Sequence, residues 1–211
     1  MVHQANAPGW WQKYGDVLPS WFETYIGLEQ AASVIRTYEP ALVPGLLQTE
    51  DYARAVIQLR HLQASACDVE RRIAFRMARQ EFLTQPSAPD LWVALDESAL
   101  RRPLGSGAVQ RAQLQHLIEM AQRPNVTLQV VPYHVGGPAA VGGPFTILRF
   151  SEPGIADIVY LEHLASALYL DKERDTVGYL AIMDSLCIEA ESPDVSINLL
   201  RRMIEDLPCN P

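Results

Sequence analysis

The chain has no window of about 18 apolar residues, the length a membrane-crossing helix needs. Its start, MVHQANAPGWW, also lacks the basic segment followed by an apolar one that marks a secretory leader. Neither a membrane span nor export is expected, so the expected compartment is the cytoplasm. Positive charge is scarce: 17 Lys and Arg face 25 Asp and Glu, giving a formal charge of −8. That excludes a phosphate-gripping surface spread over the whole molecule, because nucleic-acid affinity is mainly a Lys and Arg contribution, and leaves only a local basic patch open. Cysteine is limited to Cys67, Cys187 and Cys209. An odd number without a CxxC pair reads as reduced, structural thiols rather than a disulfide framework.

Catalytic and cofactor signatures are missing too. There is no GxSxG nucleophile turn. His116 and Glu119 form a lone i, i+3 pair, and Glu162 and His163 are neighbours expected to point apart in a strand, so no zinc-type spacing exists. Gly105 and Gly107 precede a helical pattern, but Gln110 stands where a dinucleotide fingerprint needs its third glycine, which leaves a turn. No metal and no cofactor are expected.

What is present is enough apolar sequence for one core: 48% of 211 residues are hydrophobic, which predicts a single domain over residues 20–211. A Trp- and Pro-rich lead-in, residues 1–19, shows no period and is expected to be extended. Ser20 and Glu23 have capping-box spacing, and Phe22, Tyr25, Leu28, Ala32, Ile35 and Tyr38 recur at three and four, predicting one amphipathic helix ended by Pro40. Thr49 is placed to cap a second helix to about Leu59, and Ser65 with Asp68 a third to about Phe82.

The middle of the chain changes period. LWVALDE (91–97), a helical stretch VQRAQLQHLIEMAQ and VTLQVVPY (126–133) form a predicted βαβ unit with a right-handed crossover. PFTILRF, DIVYLE and ALYLD then read as meander strands. Residues 173–188, apolar nearly all round, predict a buried helix, and Ser192-Pro193-Asp194 opens a last one whose buried stripe is Ile197, Leu200, Ile204 and Leu207. No internal repeat is found. The predicted class is α+β: a mixed β-sheet containing one βαβ unit plus a meander, flanked by an N-terminal helical segment and two C-terminal helices.

The stretch YEPALVPGLLQTEDYARA (38–55) sets prolines and a glycine inside an apolar run. Pro40 and Pro44 fix their own φ and push the residues before them toward extended conformations, so the loop is stiff. A stiff loop presenting Leu46, Leu47 and Gln48, followed by the amides of a helix starting near Thr49 with Tyr52 in its first turn, forms either a pocket wall beside an anion-accepting helix end or a plain corner of the core. Arg72, Arg76 and Arg79 lie four and three apart on one helix face, with Gln80 beside them. They suit a carboxylate or phosphate ligand, or structural ion pairs with Asp96 and Glu97. Those two acids occupy the carboxyl end of a predicted parallel strand, the edge where open α/β sheets place ligands. GGPAAVGGP (136–144) reads as a lid or a long hairpin turn.

In order, WFETYIGLEQAASVIRTYEPALVPGLLQTEDYARAVI, RMARQEFL, LDESALRRPLG and NVTLQVVPY resemble the effector domain (domain of unknown function 5753) of actinobacterial Xre-type helix-turn-helix transcription regulators. The resemblance runs from about Trp10 to the C-terminus. It implies a cytoplasmic regulatory module, often found beside small partner proteins, and no particular chemistry. The DNA-binding module of roughly 70 to 80 residues that precedes this region in such regulators is not seen here, so the chain is either part of a longer regulator or a free-standing version.

Three functions follow. The first is a module sensing a small-molecule effector or small partner protein, which touches DNA only through that missing module. The second is a free-standing enzyme using a cleft with Asp96, Glu97 and Arg76. The third is a scaffold forming a homodimer.

Overall fold

The computed structural model describes residues 9–137 and 143–208. Its elements follow in chain order as α1 (Ser20–Ala31), β1 (Val34–Glu39), α2 (Glu50–Arg60), α3 (Ala66–Gln80), β2 (Asp90–Asp96), α4 (Glu97–Arg101), α5 (Gly107–Met120), β3 (Val126–Val131), β4 (Phe145–Arg149), β5 (Ile158–Glu162), β6 (Ala167–Leu170), α6 (Glu173–Glu189) and α7 (Pro193–Asp206). Short 3-10 turns lie at Trp10–Tyr14, Gly45–Leu47 and Glu81–Thr84. Residues 1–8 of the lead-in, residues 138–142 of the glycine-rich stretch and Cys209 lie outside the described residues.

Local chemistry starts three helices as expected. Thr49 caps α2 by accepting from the Tyr52 amide, Ser65 and Asp68 complete a reciprocal capping box on α3, and Ser192 with Pro193 opens α7. Ser20 does not behave this way: α1 starts after Pro19 with no side-chain cap, so Ser20 and Glu23 form no capping box. The single helix expected to reach Tyr38 is also corrected. It stops at Ala31, and Val34–Glu39 is a strand. Ala32, Ile35 and Tyr38 satisfy a helical period, but β-branched Val34, Ile35 and Thr37 suit a pleated surface, and partners on both sides decide the matter.

The sheet order is β3-β2-β1-β4-β5-β6. Strands β1, β2 and β3 are parallel, and β4, β5 and β6 add antiparallel to β1. The predicted unit β2-α5-β3 is one parallel crossover, and the segment carrying α2 and α3 makes a second between β1 and β2. The observed class is α+β with a mixed sheet. On one sheet face Tyr38, Phe145, Ile147 and Val159 pack against Met183 and Leu186 of α6. Helix α6 is buried only along that face: Val177 and Ile188 are exposed, which corrects the expectation of burial all round. The opposite face packs on α1, α2, α3 and α5, with Ile35, Leu91, Val93 and Leu128 in the main core. The expectation of an extended lead-in is corrected at Trp10–Tyr14, which form a 3-10 turn, and Trp10 stacks on Phe75 with ring centres 5.5 Å apart.

Edge strand β3 is closed by the segment between α6 and α7. The Val130 amide donates to Ser196 Oγ at 2.8 Å, the Glu191 amide donates to the Val130 carbonyl at 2.9 Å, and Gln129 Nε2 donates to the carbonyls of Cys187 and Glu191. Such a cover removes an open row of pairing groups. Ser196 is fully buried, so Ser196→Ala is expected to cost about 1–3 kcal/mol by leaving the Val130 amide unsatisfied. Urea unfolding checks it, and an unchanged midpoint would remove this contact from the account.

Candidate functional site

The stiff loop at 40–48 is held by side chains rather than by sheet or helix ladders. Gln80 Nε2 donates to the carbonyls of Gly45 and Gln48 at 2.8 and 2.7 Å. Gln48 Nε2 reaches back to the Val43 carbonyl at 2.7 Å, and the Val43 amide donates to Tyr52 Oη at 3.3 Å. From α5, fully buried Gln113 donates to the Leu47 carbonyl at 2.7 Å and accepts from the Thr49 amide at 2.8 Å. Three glutamines and a tyrosine thus satisfy backbone groups that the prolines keep out of regular structure. At the helix start expected to accept an anion, the Thr49 amide is bonded to Gln113 and the Tyr52 amide to Thr49 Oγ1.

The loop forms one wall of a cavity of about 630 Å³. A second wall is α3, through Arg76 and Arg79, and a third is the sheet, through Ile35, Thr37, Glu39, Thr146, Tyr160 and Glu162. Apolar Phe22, Leu42, Leu46 and Val56 also line it, with Arg60 and His163 near the β5 end. Register explains the sheet wall. Thr37 pairs with Thr146, and Thr146 with Tyr160, so the three stand in one row; Glu39 and Glu162, two residues further along their strands, fall on the same face.

Most charge at the cavity is closed into pairs. Arg79 Nε donates to Glu29 Oε2 at 2.6 Å and Nη2 to Oε1 at 2.5 Å, a bidentate pair in which Glu29 is fully buried. The guanidinium lies over Phe22 and Tyr25 at 5.5 and 5.3 Å. Burial opposes the Arg79 charge, but Glu29 outweighs it and holds its pKa above the ordinary value. Arg60 pairs with Glu162 at 2.6 Å, and Tyr160 Oη donates to the other Glu162 oxygen at 3.1 Å. Burial, then the Glu29 charge, raises the Tyr25 phenol, and burial with the Glu162 charge raises that of Tyr160.

Two groups stay outside these pairs. Arg76 donates Nη1 to Gln48 Oε1 at 2.7 Å and has no acid at ion-pair distance among the described residues. Burial, reinforced by the neighbouring Arg79 charge, lowers its pKa to about 10. Glu39 lines the cavity with no hydrogen-bond or ion-pair partner for its carboxyl among the described residues. Burial and the Glu162 charge push it up to about 8, against the pull of Arg79.

Of the residues singled out from sequence, Gln48, Arg76 and Arg79 line the cavity. Leu47, Thr49, Tyr52 and Gln80 stand behind the loop as supports. Arg72 is turned toward a separate surface hollow beside Asp68. Asp96 and Glu97 do not reach the cavity or the arginine row. Asp96 caps α4 at the Ser98 amide and accepts from Tyr38 Oη, while Glu97 pairs with Arg101 at 2.6 Å and accepts from the Tyr133 amide. The cavity acids are instead Glu39 and Glu162. Glu162 and His163 do not point apart, because β5 ends at Glu162 and both line the cavity where the chain turns.

Among the described residues no group of three His, Cys, Asp or Glu gathers as metal ligands, and no helix is long and apolar enough to cross a membrane. A family model described as a domain of unknown function (DUF5753) matches residues 22–202. The chain belongs to that family. The matched DUF5753 region contains every cavity group named above and all six strands of the sheet. No curated protein and no solved structure matches the chain.

Proposed function

We propose that this DUF5753 domain is the small-molecule-sensing module of an Xre-type transcription regulator of actinobacterial origin, working in the cytoplasm, with DNA contacted by another module. The observation that carries the reading is the pre-formed cavity of about 630 Å³ with Arg76 in its wall, bonded to Gln48 but without an acidic partner among the described residues. That volume suits a drug-sized ligand, and a mostly apolar lining with few placed polar groups is what such sites use. A half-buried guanidinium without a counter-ion is a cost to stability, and a ligand anion offsets it on binding. The net charge of −8 supports leaving the DNA to another module.

The test pairs a metabolite thermal-shift screen with Arg76→Met. A ligand at 100 times its Kd stabilises by about 2.7 kcal/mol, which reads as a clear rise in Tm. In Arg76→Met the ligand-free Tm is expected to stay level or rise, and the response to ligand to vanish. A screen in which no metabolite moves the parent chain sinks the reading, as does an undiminished response in the variant.

An enzyme built on Asp96, Glu97 and Arg76 has less support, since Arg76 shares no cleft with either acid. A homodimer or a small partner protein finds support only in exposed apolar residues such as Leu168 on edge strand β6.

A further inference from the structure

The charges around the cavity count in threes: Arg60, Arg76 and Arg79 against Glu29, Glu39 and Glu162. Two pairs are closed, Arg60 with Glu162 and Arg79 with Glu29. The remaining two are held apart. Arg76 is carried by α3 and pinned at one end by Gln48, Glu39 ends the central strand β1, and no ion pair joins them. Apolar side chains, Phe22, Leu42 and Val56 among them, line the same space.

Resting on the small-molecule reading above, we infer that the ligand is zwitterionic, with a carboxylate or similar anion at Arg76, an ammonium at Glu39 and an apolar body between. The anionic end meets the guanidinium of Arg76, which lines the cavity and gives Nη1 to Gln48, a planar group suited to bidentate contact with a carboxylate. The cationic end meets a carboxyl with no protein donor, with Glu162 on the same sheet face two strands away, about 10 Å at the Cα positions. Glu162 is fixed by Arg60 and Tyr160, so it adds negative potential without competing for the ligand. In the empty cavity Glu39 holds a proton near neutral pH, and an ammonium takes its place. A zwitterion meets both groups at once, whereas a ligand with one charge engages only Arg76 or only Glu39.

The experiment is calorimetric titration of the full chain with four forms of one scaffold: the dipeptide phenylalanyl-leucine, its N-acetyl form, its C-terminal amide and the doubly blocked form. The free dipeptide is expected to bind at least ten-fold more tightly than either singly blocked form. Arg76→Met should erase the preference for a free carboxylate and keep that for a free amine, and Glu39→Gln should do the reverse. Equal binding of the dipeptide and a singly blocked form overturns the assignment. Equal binding of the doubly blocked form overturns it while leaving the cavity a small-molecule site. Silence of all four also overturns it, and the metabolite screen then decides the broader reading on its own.

Discussion

Arg79→Met should destabilise the fold by about 3–5 kcal/mol, because it leaves a buried carboxylate without its cation. Glu29 has no exposed surface and receives both Arg79 donors, at 2.6 and 2.5 Å. Without the guanidinium, Glu29 must take up a proton or admit water, and the rings of Phe22 and Tyr25 lose the cation that lies over them. For a chain of this size the loss corresponds to a fall in Tm of roughly 10 °C. The effect should also reach the cavity, since Gly45 rests against Arg79: a Cβ there would lie 3.3 Å from Nη1. Replacing both partners, Glu29→Met with Arg79→Met, should recover much of the loss, because a buried ion pair exchanged for apolar groups of similar size is often near neutral. The double-mutant cycle in urea separates the pair from the packing. A single-variant cost below about 1 kcal/mol, or a double variant no better than the single one, would show that the pair is not the element holding α1 to α3.

How much of this is legible in the sequence depends on how local each feature is. The capping box at Ser65 and Asp68, the Thr49 cap and the Ser192-Pro193 start are complete within four residues, and they appear where the sequence puts them. The β2-α5-β3 crossover was readable because its strands and helix differ in period. Strand β1 was not: Ala32, Ile35 and Tyr38 fit a helix as well as they fit Val34–Glu39, and the choice is made by β2 and β4, which lie far along the chain. The cavity was half legible. The prolines announced a rigid wall and the arginine spacing a shared helix face, which placed Gln48, Arg76 and Arg79 together. Nothing local announced that Arg79 would be taken by Glu29 and Arg76 left over. Glu39 and Glu162 face one cavity because β1 and β5 flank β4 in the same sheet, so their relation lives in strand order and not in spacing. Asp96 and Glu97 looked like ligands because they end a parallel strand, but their oxygens are spent on the start of α4, Arg101 and the Tyr133 amide.

Glu39 makes stability fall as pH rises, the reverse of the usual acid-sensitive carboxylate. Its pKa is pushed up to about 8 in the folded chain from the usual 4.5. Between those values the folded chain keeps a proton that the unfolded chain has released, so the contribution is complete below about pH 4.5 and is lost as pH climbs through 8. A shift of that size is worth at most about 4–5 kcal/mol, and water in the cavity reduces it. Burial lowers the pKa of His61 and of His116, so their contribution is lost as pH falls below the usual 6.5 and works in the opposite direction. Above about pH 6.5 the histidine contribution fades, and burial raises the Cys187 thiol above its usual 9, so Glu39 is the main group titrating up to about pH 8 and the Glu39→Gln comparison separates it from the rest. Urea unfolding at pH 6.5 and 8.5 should show the parent chain weakening by about 2 kcal/mol and Glu39→Gln staying level. Glu162→Gln should move the step to lower pH, because the charge that helps hold the Glu39 proton is gone. Parallel slopes in the parent and Glu39→Gln would mean that another group titrates. An ammonium bound beside Glu39 favours its charged form, so in the presence of such a ligand the step should shrink as the carboxyl gains the partner that the protein itself withholds.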